Sequence, residues 1–117
     1  MRKLFLAGTV ALIAAGALLV AKPAHANAAN DFCMMTAKLT YNVIEAKAKL
    51  TKMPDLSQIE AELNELFTAL DAAGEGFTAQ QKAATIRAAR FGYGAPKGAD
   101  PETYAKYQYI GCLATEI

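Results

Sequence analysis

The chain is poor in the side chains that most enzymes work with. Among 117 residues there is one histidine, His25, and one serine, Ser57. His25 falls in an N-terminal stretch that reads as removable, so the rest of the chain has no imidazole. This closes the Ser-His and Cys-His routes to a nucleophile, and histidine-ligated zinc, copper or haem with them. The two cysteines, Cys33 and Cys112, have neither the C-x-x-C spacing of a redox pair nor the C-x-x-C-H of haem attachment. No P-loop is present, nor a G-x-G-x-x-G between a strand and a helix. No segment alternates as a strand does, and there is no internal repeat or low-complexity tract.

The N-terminus is where the sequence says most. Arg2 and Lys3 precede an uncharged run from Leu4 to Ala21, and Ala24-His25-Ala26 follows with small residues at the spacing of a cleavage site. A positive start, an apolar middle and an A-x-A end predict a secretory signal peptide over residues 1–26 and a mature chain of residues 27–117, periplasmic or secreted. The rival is an uncleaved anchor, since the run is just long enough to span a bilayer. Its richness in alanine and glycine and the site that follows favour cleavage at Asn27, with Ala28 an alternative. Cys33 follows Asn30-Asp31-Phe32, unlike a lipoprotein cysteine. Cleavage would remove Arg2, Lys3 and Lys22 and leave all eleven acidic residues, taking the formal charge from +1 to about −2. Nothing in that balance points to nucleic acid, and no stable membrane anchor is expected after cleavage.

About ninety residues are near the size at which one core is marginal without help. In an oxidising compartment Cys33 and Cys112 most simply bridge each other; an intermolecular bridge and free thiols are the alternatives. Closing a loop of that length stabilises by about 4–5 kcal/mol in the chain-entropy picture.

Four amphipathic segments predict an all-α fold, a small four-helix bundle whose first and last helices are joined by the disulfide. The first runs from about Asn30 to Lys52, with Phe32, Met35, Leu39, Val43, Ala46, Leu50 and Met53 on one face and Pro54 as its stop. The second runs from about Leu56 to Ala73, with Ser57 and Glu60 at capping-box spacing, Asp55 a competing cap, and Gly74 the stop. Thr78 and Gln81 open a third, reaching about Phe91, whose inner face reads weakly as Ala83, Ile86 or Ala84, and the Arg90 stem beside Phe91. Asp100 caps a fourth that starts at Pro101 and carries Tyr104, Tyr107, Ile110, Gly111 and Ala114 on one side. Charge is segregated. The second helix is acidic without a lysine or arginine, and the first and third are basic, which favours packing side by side.

Few constellations offer chemistry. Glu60, Glu62 and Glu65 read as a solvated helix face. Asp71 to Lys82 imitates a calcium loop, but Ala73 and Lys82 stand where anionic ligands are needed. The Gly92–Lys97–Gly98 stretch could cradle a phosphate, yet fits no specific motif. Tyr93, Tyr104, Tyr107 and Tyr109 crowd the last quarter of the chain; Tyr104 and Tyr107 fit the inner face, and Tyr109 is expected to be exposed. Tyr93, Lys97 and Tyr109 are the expected partner contacts. No catalytic, cofactor-binding or metal-ligating residue is expected.

With Cys33 near the start, Ile86-Arg87-Ala88-Ala89-Arg90-Phe91 closing an alanine-rich helix, and Tyr104, Tyr107 and Cys112 near the end, the layout resembles small exported helical proteins of proteobacteria. The plan is also similar to periplasmic acid-stress chaperones, small helical proteins with one disulfide, although their lysine-rich tail is missing. The reading that follows is a non-catalytic exported protein acting by contact with another envelope protein, as an inhibitor, adaptor, immunity-type factor or chaperone. The alternative is a binder of a small apolar molecule held among Met34, Met35, Met53, Phe67 and Phe77.

Overall fold

A computed structural model describes residues 28–115. The expected signal peptide, and the choice between cleavage at Asn27 or Ala28 and retention as an anchor, lie outside the described residues. Within them the fold is all-α: α1 (Ala28–Lys49), α2 (Leu56–Ala72), α3 (Ala79–Tyr93) and α4 (Pro101–Thr115). Cross-contacts fix the directions. Thr40 meets Ala88 and Lys47 meets Tyr93, so α1 and α3 run the same way. Glu60 meets Arg90 and Asp71 meets Lys82, so α2 opposes α3. The Cys33–Cys112 disulfide joins the start of α1 to the end of α4, so these two are antiparallel. The bundle is therefore up-down-up-down, as short connections dictate.

α1 is the central helix, and its buried face is wider than one stripe. Phe32, Met35, Leu39 and Val43 are buried as their spacing predicts, and Thr36, Thr40 and Ile44 are buried beside them. One helix covered by α3 and α4 and facing the α2 side chains must bury more than a single face. Its hydroxyls are satisfied. Thr36 donates to the Cys33 carbonyl at 2.8 Å and Thr40 donates across to the Ala88 carbonyl of α3 at 2.8 Å. No buried side-chain nitrogen or oxygen among the described residues lacks a partner, which is what allows threonine in a core. α1 stops at Lys49, before the expected Lys52; Leu50 is exposed and Met53 half-buried, in the turn that leads to Pro54.

Asp55, not Ser57, caps α2. Its N–H donates to Gln58 Oε1 at 2.9 Å, and Ser57 lies inside the helix, exposed. Ile59, Leu63 and Phe67 form the buried stripe. The helix ends where Gly74 turns left-handed at φ 79°, with Glu75 donating to the Leu70 carbonyl and Gly74 to that of Asp71, a Schellman closure. Phe77 then plugs this end of the core, its ring edge-on to Phe32 at 5.5 Å and to Phe67 at 6.0 Å. Thr78 and Gln81 form the expected capping box.

The inner face of α3 differs from the expected one except at Ala84. Ala83, Phe91 and Arg90 are exposed and Ile86 is half-buried, whereas Ala84, Thr85, Ala88, Ala89 and Gly92 are buried. Small residues let the α3 backbone approach α1. A Cβ added at Gly92 would sit 2.8 Å from the Thr40 carbonyl oxygen and 3.1 Å from Val43 Cβ. This face is closely packed because it is nearly bare, and a search for large apolar residues passes over it.

α4 also departs from expectation. Asp100 caps it, accepting from the Thr103 N–H at 3.1 Å and hydroxyl at 2.7 Å. These bonds hold its carboxyl below the usual aspartate range. Its fully buried residue is Cys112, while Tyr107 and Ile110 are 62% and 60% exposed and Gly111 and Ala114 also face outward. Tyr109, expected outside, is half-buried against the core with its hydroxyl bonded to Asn30 Oδ1. Of the stripe predicted to face inward, Tyr104 is half-buried, and Tyr107, Ile110, Gly111 and Ala114 face solvent.

Candidate functional site

Two carboxylates of α2, Glu60 and Asp71, are drawn into contacts with α3. Arg90 holds Glu60 through two bonds, at 2.6 and 3.2 Å. The bonded guanidinium lowers the Glu60 pKa, with partial burial opposing it. A general acid needs the opposite shift. In the calcium-loop imitation, the ammonium of Lys82 sits on the Asp71 carboxylate at 2.8 Å, so the residue at position twelve neutralises the one at position one. Both contacts pair acidic α2 with basic α3, as the charge segregation anticipates.

The expected partner contacts do not form one patch. Tyr93 is half-buried, its hydroxyl donating to the Pro54 carbonyl at 3.1 Å and its ring lying 5.4 Å below the Lys47 ammonium. Tyr109 packs inward, at the opposite end of α4 from the loop bearing Lys97, which is exposed. The five residues proposed to line an apolar ligand site are also dispersed. Met35 and Phe67 are in the closed core, Met34 is 49% exposed, and Phe77 is the end plug. Of these five, Met53 lines one of the grooves described next.

Among the described residues, two of the open grooves on the bundle bear on binding. The first, about 320 Å³, lies between α3 and α4 and is lined by Ala84, Arg87, Phe91, Gln108, Gly111 and Cys112. It borders the outward stripe of α4, with the Phe91 and Tyr104 rings 5.2 Å apart at one end. Groove and stripe adjoin along α4, with Arg87 in the groove lining and Lys106 on the exposed side of α4, where its charge helps to lower the Asp100 carboxyl. The second groove, about 490 Å³, lies where the end of α1 meets the loop before α4.

Sequence reasoning missed Tyr107 and Ile110 as surface residues, although the signal was there. At about 100° per residue, Tyr107 and Ile110 lie roughly 140–160° around the helix from Cys112. A bridge to α1 turns Cys112 inward and therefore turns those two outward.

No family model, curated protein or solved structure matches the chain. Among the described residues no helix is long and apolar enough to cross a membrane. The formed disulfide suits an oxidising environment such as that of exported proteins.

Proposed function

We propose that this is a non-catalytic exported protein that works by contact with another envelope protein, as an inhibitor, adaptor, immunity-type factor or chaperone. The contact is made by the outer face of α4. One observation carries the reading: Tyr107 and Ile110 stand more than half exposed, side by side on a helix whose other side is turned to the core through the buried Cys112 and the half-buried Tyr109. A helix apolar on both sides belongs in an interior, and the isolated chain covers only one side. Aromatic and aliphatic anchors beside a groove suit a partner helix laid along it. Arg87 and Lys106 at the edges favour a partner whose apolar stripe is flanked by acidic residues. The lack of histidine outside the expected signal peptide and the lowered Glu60 pKa support a role without catalysis.

A photo-crosslinking side chain at position 107, in cells that export the protein, should give one discrete protein adduct. The same group at Asn64, on the exposed part of α2, should not. Ile110→Glu should abolish the adduct while leaving stability within about 0.5 kcal/mol, as for a surface change. No adduct at 107, or equal adducts at 64 and 107, overturns the reading.

A further inference from the structure

The second groove lies at the opposite end of α4 from the disulfide and is built differently from the first. Its floor and walls are apolar: Ile44 and Ala95 are buried, and Leu50, Met53, Pro96 and Pro101 rise around them. Its polar lining is mainly cationic, with Lys47, Lys49 and Lys97 at its margin. The one acid in the lining, Glu45, is bonded to Lys49 at 3.2 Å. Lys97 has no ion-pair partner among the described residues.

Lys47 is fixed in place. Its ammonium donates to the carbonyls of Tyr93 at 2.6 Å and Ala95 at 2.8 Å, where α3 ends. An ammonium has three donors, so one is left beyond these two carbonyls, at the groove margin and 5.4 Å from the Tyr93 ring centre. The loop opposite is held by Gly98 at φ 88° and by the Ala99 N–H on the Pro96 carbonyl at 2.9 Å. Apolar walls, a few convergent cationic donors and a volume within the roughly 300–1,000 Å³ of small-molecule sites describe a pocket for an amphiphile. The net charge of the chain is close to zero, so the local excess of lysine is a property of this place.

We propose that the groove binds a single-chain anionic amphiphile, with its head on Lys97 and the remaining donor of Lys47 and its chain against Ile44, Met53 and Ala95. Both a free fatty carboxylate and the headgroup end of an anionic lysophospholipid have this chemistry. The site is distinct from the outer face of α4 and stands independently of the partner reading.

The test is titration of the disulfide-bonded protein with laurate, with lauroyl lysophosphatidylglycerol and with uncharged dodecyl maltoside, each below its micelle concentration, followed by amide NMR shifts. Saturable shifts confined to residues 44–53 and 95–101, with either anionic probe and not with the maltoside, are expected. Laurate alone would identify a free carboxylate ligand, and the lysophospholipid alone a membrane-derived one; either supports the site. Lys97→Glu should weaken binding about tenfold or more, since it replaces a charge-assisted contact with a repulsive one. Ala99→Trp, which fills the groove, should abolish binding with unchanged helical circular dichroism. Absent saturation, equal binding of the maltoside, shifts centred on α4 residues 107–114, or indifference to Lys97→Glu would each overturn the assignment.

Discussion

α3 and α4 both lie closely along α1, and they are secured there by different means. α3 has almost no side chain at the contact: Ala84, Ala88, Ala89 and Gly92 bring its backbone onto α1, and Thr40 bonds the Ala88 carbonyl. α4 keeps its bulk and is fastened at one end by a covalent bond, with Cys112 its fully buried residue and Tyr109 and Gln108 leaning in beside it. Gln108 donates to the Thr36 hydroxyl at 3.3 Å, next to the bridge. A helix docked by close approach cannot tolerate a larger residue. A helix docked by a staple can leave Tyr107 and Ile110 free for another use.

The sharpest way to break this contrast is to remove the staple. The disulfide spans a separation of 79 residues, and losing a loop constraint of that size costs about 4.5 kcal/mol in the chain-entropy model. Replacing Cys33 and Cys112 together by serine should therefore remove much of the stability of so small a domain. Denaturant unfolding measures the loss, and hydrogen exchange locates it. Amides of α4 should lose more protection than those of α3, because the bridge acts on α4 directly and the contact of α3 with α1 contains no cross-link. Equal loss in both helices would mean that the two modes of packing are not separable.

The converse change is Gly92→Ala. In a helix alanine is normally better than glycine by up to about 1 kcal/mol. Here its methyl would press on the Thr40 carbonyl oxygen at 2.8 Å, a backbone atom that cannot swing away. The clash should win, with a net loss of about 1–3 kcal/mol. The same substitution at Gly111, which has open space around it, should be neutral or slightly stabilising. Thr40→Val leaves the shape nearly intact and removes the bond to Ala88, so about 1 kcal/mol should go. Thermal unfolding of the three variants should rank them Gly92→Ala, Thr40→Val, Gly111→Ala, from most to least destabilised.

These positions also show what was legible in the sequence. The large residues of α1 and α2 announced their faces because burying Phe32, Met35, Leu39, Ile59, Leu63 and Phe67 is the main driving term and recurs at helical spacing. Caps at Thr78 and Asp100 were legible because they satisfy local N–H groups with local side chains. The inner face of α3 was obscure because alanine and glycine carry little hydrophobic signal; what they supply is proximity, which exists only once α1 is in place. α4 misled for a different reason. Its Tyr104, Tyr107, Ile110, Gly111 and Ala114 form a real stripe, but periodicity finds a stripe without saying what covers it. The inward phase of Cys112 excludes that stripe from the core, and the two readings could have been tested against each other by helical geometry alone. The candidate surfaces were least legible. Lys47 and Lys97 are fifty residues apart in sequence and share a groove, which no local pattern encodes.

The smallest expected effect concerns how α2 joins α3. Arg90 and Glu60 meet at 2.6 Å on the surface, and solvent screens them, so their contribution is slight. It nevertheless has a signature. The Glu60 carboxyl is held below its ordinary value by the Arg90 hydrogen bond. A carboxyl lowered on folding adds stability above the ordinary glutamate range, near pH 4.3, and that increment disappears as pH falls through the lower folded value. Glu60→Gln should therefore leave the stability curve flatter over that acid interval and unchanged in slope near neutrality. Added salt should shrink the difference between variant and parent. If the two proteins instead differ by a constant amount from neutral to acid pH, Glu60 contributes by packing its stem against α3, and its charge pair with Arg90 does not hold the two helices together.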